Sequence, residues 1–125
     1  MAIDDLWGEL PDVEEIKTPF VILKEQAELL TEKTDGLLVG EATRKQVKQR
    51  FYCTLDIVVP ILNDYKYNLL SIYYGIRLYP VDLEVNKQCV SGSDEDEFKK
   101  ELGNILKSQK IQDVISKLLA HVRSA

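Results

Sequence analysis

The hydrophobic period of this chain changes twice, and no other feature constrains its fold as much. Between Phe20 and Leu30 apolar residues recur at three- and four-residue steps, from Leu37 to Val85 they alternate, and from Phe98 to Val122 the helical spacing returns. A helical period directs one stripe toward a core, whereas a period of two puts every second side chain on one face of a sheet. The order is therefore helix, strands, helices. Segregated blocks of this kind predict an α+β fold in two layers.

Local signals sharpen each block. Thr18-Pro19 starts a first helix, because the threonine side chain can accept from orphan amides and proline at the first helical position gives up no useful donor. That helix should run to about Lys33 and stop at Thr34-Asp35-Gly36. Leu37 to Thr43 then predicts a strand, Arg44 to Gln49 a connection, and Arg50 to Val59 a second strand ended by Pro60. Tyr67 to Tyr79 predicts the longest strand, and Val81 to Val85 a fourth or a bent continuation of the third. Short turns between these runs imply an antiparallel meander of about four strands. Ser93 and the four acids after it predict the cap and first turn of a second helix carrying Phe98, Leu102, Ile105 and Leu106. Ser108 predicts the cap of a third. The two C-terminal helices should pack with the first on one side of the sheet.

At 125 residues this is one domain, which we place at 18–125, preceded by an acidic arm at 1–17. The arm mixes acids with Ile3, Leu6, Trp7, Leu10, Val13 and Ile16, a composition suited to docking on the body. Trp7 is its anchor and a candidate partner contact. Ten acids against three bases between Met1 and Asp35 give this segment −7, which the rest of the chain trims to a net charge of −5. Such an acidic chain repels phosphate backbones, so no nucleic-acid partner is expected. No run approaches the ~18 apolar residues of a membrane span, and the first residues lack the pattern of a secretory signal. No membrane association is expected, and the cytoplasm is the expected compartment.

Catalytic and metal chemistry find little to stand on. A single His121 and two cysteines without a CxxC spacing provide no metal-ligand set, so neither metal nor cofactor is expected. Cys53 falls among core residues, where a thiol is packing rather than a nucleophile. Gly36 to Gly40 leads into a strand and lacks the Lys-Ser/Thr of a phosphate loop.

The tyrosines stand out, with five of the six between Tyr65 and Tyr79. If the helices cover the face bearing Leu70, Ile72, Tyr74 and Ile76, strand alternation projects Tyr52, Asp56, Leu69, Ser71, Tyr73 and Arg77 from the opposite side. Tyrosine and arginine combine contact area with polar tips and are enriched where proteins meet. The sequence therefore predicts a non-catalytic protein–protein interaction module, with Trp7, Tyr52, Asp56, Leu69, Tyr73 and Arg77 as its partner-binding residues. The alternatives are a homo-oligomeric module using the same face on a second copy, and a small-molecule binder or enzyme built around Asp56, Tyr73, Arg77, Asp82 and Glu84.

Overall fold

A computed structural model describes residues 3–12 and 16–125 of the chain. Helix α1 (Pro19–Lys33) leads into strands β1 (Val39–Val47), β2 (Arg50–Val59), β3 (Tyr65–Gly75), β4 (Val81–Val85) and β5 (Gln88–Gly92), followed by helices α2 (Glu95–Leu106) and α3 (Gln109–Arg123). All neighbouring strands are antiparallel and the sheet order is β1-β2-β3-β4-β5. This is the α+β meander expected, with one strand more.

The helix starts follow the capping chemistry. Thr18 accepts from the Val21 amide and Ser108 from the Ile111 amide. At α2 the cap is Asp94 rather than Ser93: its carboxylate accepts from the Glu97 amide at 2.8 Å. Ser93, the residue before the cap, instead donates through its amide to the Glu97 side chain.

The strands differ from expectation where turn residues were hard to recognise. β1 runs through the polar stretch Arg44 to Val47, and only Lys48-Gln49 turns the chain, both with positive φ. Two left-handed residues give the twist that a tight hairpin needs. Asn86-Lys87 do the same between β4 and β5, so Gln88 to Gly92 pairs as a strand instead of leading into α2. β3 starts earlier, at Tyr65, and ends at Gly75, so Ile76 to Tyr79, expected to continue it, leaves the sheet.

The core lies between the sheet and all three helices. Ile22, Leu23 and Ala27 of α1, Phe98 and Leu102 of α2, and Ile111 and Leu118 of α3 join Cys53, Leu55, Ile57, Leu70, Ile72, Tyr74 and Leu83 in one buried cluster. α1 sits unusually close to β1. Gly40 has no side chain to hold the helix off, and its amide donates to Thr31 Oγ1 at 2.9 Å.

Among the described residues, the arm contributes nothing to this core. Ile3, Leu6, Trp7 and Leu10 are 95%, 91%, 82% and 68% exposed, so the described part of the arm keeps its apolar side chains in solvent instead of docking them. Val13 lies outside the described residues.

Cys53 is fully buried, and its thiol is pushed up from 9.0 to about 11, chiefly by burial. An acid whose folded pKa is raised leaves stability intact below pH 9, and stability then falls as pH rises toward 11 while the unfolded chain releases its proton first. Two pH units correspond to about 2–3 kcal/mol. Burial likewise raises the buried Tyr74 phenol, which acts in the same direction. We therefore expect denaturant midpoints to drop between pH 8 and pH 11, and a Cys53→Ala variant to show a shallower drop. Equal slopes for both chains would contradict this.

Candidate functional site: the uncovered sheet face

The side of the sheet away from the helices is organised by register. One row across it runs Lys45, Tyr52, Tyr73, Asp82 and Ser91, and the next runs Thr43, Thr54, Ser71, Glu84 and Cys89. A third row holds Glu41, Asp56 and Asn68. Alternation along each strand produces these rows, each named residue lying two positions from the next on its own strand except Ser71 and Asn68, which are three apart across an irregularity in the β2–β3 pairing.

Neighbours within and between the rows satisfy one another. The Tyr52 and Tyr73 rings lie 4.6 Å apart at 43°, and the Tyr52 hydroxyl is 3.0 Å from Ser71 Oγ. Thr43 and Thr54 share a hydroxyl contact of 2.6 Å. Asn68 donates to Asp56 at 2.8 Å, Ser91 to Asp82 at 2.8 Å, and Lys66 to Glu41 at 3.0 Å. Tilted aromatic pairs contribute about 0.5–1.5 kcal/mol beyond their burial, and cross-strand polar pairs somewhat less each. The face is thus polar, held in place by its own bonds, and aromatic at its centre. The Tyr73 phenol is raised above its usual range by desolvation first, then by Tyr52 and the Glu84 carboxylate, so it stays a neutral donor and acceptor at physiological pH.

Of the residues singled out from the sequence, Tyr52, Asp56 and Tyr73 lie on this side of the sheet, but Asp56 is only 8% exposed, its carboxylate taken up by Asn68, so it does not project to a partner as expected. Leu69 does not. The register of β2 against β3 shifts between Leu55 and Asp56, so that Leu55 faces Leu70 while Asp56 faces Asn68. Leu69 is the extra residue of this bulge, and it turns into the core beside Leu55 and Ile111. A bulge reverses the alternation beyond it, which is why parity counted back from Tyr74, Ile72 and Leu70 misplaces Leu69. Arg77 is also off the face: it is exposed in the turn after β3 ends. Trp7 is exposed on the arm. The residues that alternation alone missed are those of the strands misjudged at their ends, Lys45 on β1 and Ser91 on β5.

Of the residues of the enzyme alternative, Asp56, Tyr73, Asp82 and Glu84 share this side of the sheet and Arg77 does not. Asp56 is engaged by Asn68, Asp82 by Ser91 and at 3.9 Å by Arg50, and Arg77 lies outside the strand. Among the described residues no group of three His, Cys, Asp or Glu side chains is placed to hold a metal ion, and no helix is long and apolar enough to cross a membrane. His121 is exposed in the last turn of α3, and Cys89 is an exposed free thiol on β5. Comparison with known proteins returned no matching family model, no similar curated protein and no similar solved structure.

Proposed function

We propose that this chain is a non-catalytic cytoplasmic protein–protein interaction module whose partner lies across the rows centred on Tyr52 and Tyr73. The observation that carries this reading is the paired aromatic centre inside a polar, internally bonded face that no helix covers. A rigid aromatic pair supplies contact area at low entropic cost, and the accessible Lys45, Thr54, Asn68, Asp82 and Ser91 around it match the polar rim of a reversible interface, while Asp56 and Ser71 are themselves buried. An obligate self-interface would be more apolar than this, which favours a different protein over a second copy at this face.

The test is recovery of partners from the native host with wild-type chain and a Tyr52→Ala/Tyr73→Ala variant, folding being checked by circular dichroism. The variant is expected to lose at least 30-fold in affinity, corresponding to the hot-spot threshold. Arg77→Ala, off the face, is expected to bind as the wild type does. A partner retained by the double variant and released by Arg77→Ala would overturn the reading.

A further inference from the structure

Away from the open face, the fold holds its helices apart. α1 packs on β1 and β2, and α2 on β5. Gly40 admits the Ala27 backbone against β1, and Gly92 admits the Phe98 backbone against β5, so the two helices are held close to opposite borders of the sheet. Four strand spacings separate β1 from β5, about 19 Å, whereas helices in direct contact lie about 8–10 Å apart. α1 and α2 therefore do not close on each other, and α3, lying beside the start of β3, fills only part of the gap.

What remains is a cleft along α1. Across its first part Ile22 and Gln26 face Leu102 and Leu106 of α2. Its middle is a cavity of about 360 Å³, within the range of small-ligand pockets. Ala27 and Leu30 form one wall there, Ile111 and Ile115 the other, and Leu55 and Leu69 the floor, so the bulge that turns Leu69 inward builds part of this cavity. Among the described residues Lys33 is the one charged side chain lining it, and Lys33 has no ion-pair partner. Beyond Lys33 the cleft continues past Leu119 and Val122 to one further cation, Arg123, and one acid, Asp35. At the opposite end Lys99 and Glu25 are already paired, with Glu95 and Lys17.

The lining selects the occupant. A peptide or a second copy would carry backbone amides and carbonyls into a cleft whose walls are helices, with their own backbone groups already bonded, and each polar group buried there without a partner is costly. Two of the polar lining side chains, Thr34 and Gln112, are engaged with backbone carbonyls. A hydrocarbon chain needs no such partners and gains with every methylene it buries. One unpaired ammonium in an otherwise uncharged cavity matches a single negative charge at the end of that chain. We infer that the cleft binds a single-chain amphiphile with a carboxylate head, its tail over Leu55 and Leu69 and its head at Lys33. The open sheet face stays free for a protein partner.

Calorimetric titration of the intact chain with dodecanoate, kept below its micelle threshold, is the test. Binding should saturate at one molecule per chain, and decanoate and octanoate should bind more weakly by about fourfold per methylene removed. Dodecyltrimethylammonium, with the same tail and the opposite charge, should bind about tenfold more weakly than dodecanoate. Lys33→Gln, at an exposed position that should not disturb folding, should weaken decanoate about three- to fivefold and leave the uncharged decanol unchanged, while Lys33→Arg keeps the wild-type affinity. Leu30→Trp, which fills the cavity, should abolish binding of acid and alcohol alike, with folding checked by circular dichroism. Lys117→Gln, exposed on another face of α3, should change nothing. The inference falls if dodecanoate shows no saturable binding, or if the cationic amphiphile binds as tightly. It falls equally if Lys33→Gln or a folded Leu30→Trp binds as the wild type does. Partner recovery on the open face is a separate readout, so either reading can fail alone.

Discussion

Replacing Gly40 with alanine is expected to destabilise the chain by ~3 kcal/mol or more, although the substitution adds one methyl group to a half-buried strand. A Cβ at this position would run into the Ala27 carbonyl oxygen, with the Ala27 Cα only 2.6 Å away. Both are backbone atoms of α1, so no side chain can swing aside. The helix must move off β1, which loosens Ile22, Leu23 and Ala27 in the core and stretches the bond from the Gly40 amide to Thr31. Overpacking against flexible side chains usually costs about 1–3 kcal/mol, and a rigid obstacle belongs at or above the upper end. Gly103→Ala is the control: a Cβ there meets nothing within 4 Å inside α2, and better helix propensity should stabilise by about 0.5–1 kcal/mol. Urea unfolding of both variants checks the pair, and a Gly40→Ala midpoint equal to wild type would refute the close approach.

Phe98→Ala should be comparably severe, about 3–5 kcal/mol. Phe98 is completely buried in the first full turn of α2, with its ring 6.4 Å from that of Tyr79. Its backbone also lies against Gly92 of β5, where an added Cβ would come within 2.8 Å of the Phe98 Cα. Strand and helix are therefore locked at one spacing and cannot close over the space an absent ring would leave. Unclosed cavities are the costly kind. Thermal or urea unfolding gives the measurement. A loss below about 1.5 kcal/mol, typical of a volume-conserving change, would mean that α2 is not anchored through this ring.

Most of the architecture is legible before any coordinates, because helix period, strand period and capping residues are local properties. Thr18, Ser108 and the run from Pro19 to Lys33 needed only neighbours within four positions. What escaped depends on partners distant in sequence. Arg44 to Gln46 are polar because β1 is an edge strand with solvent on its outer side, a fact invisible until the strand order is known. Lys48-Gln49 carries none of the usual glycine or asparagine of a tight hairpin, so its turn could not be anticipated. Leu69 could not be assigned to a face without the bulge, which exists only as a mismatch between two strands. The tyrosine pair was half legible: alternation placed Tyr52 and Tyr73 on one side, but their adjacency required the register.

The edge of β1 has a further consequence for how the molecule behaves in a crowded solution. Its first half is screened by α1, with Thr31 occupying the Gly40 amide that an incoming strand would seek. Its second half, Thr43 to Val47, is open but carries Arg44 and Lys45. Two such borders approaching each other would bring like charges together, a mutual repulsion that discourages end-on stacking into fibrils. Neutralising Lys45 should therefore accelerate amyloid-type aggregation, whereas Arg44 also lies over the Phe20 and Phe51 rings and its loss would disturb the fold as well.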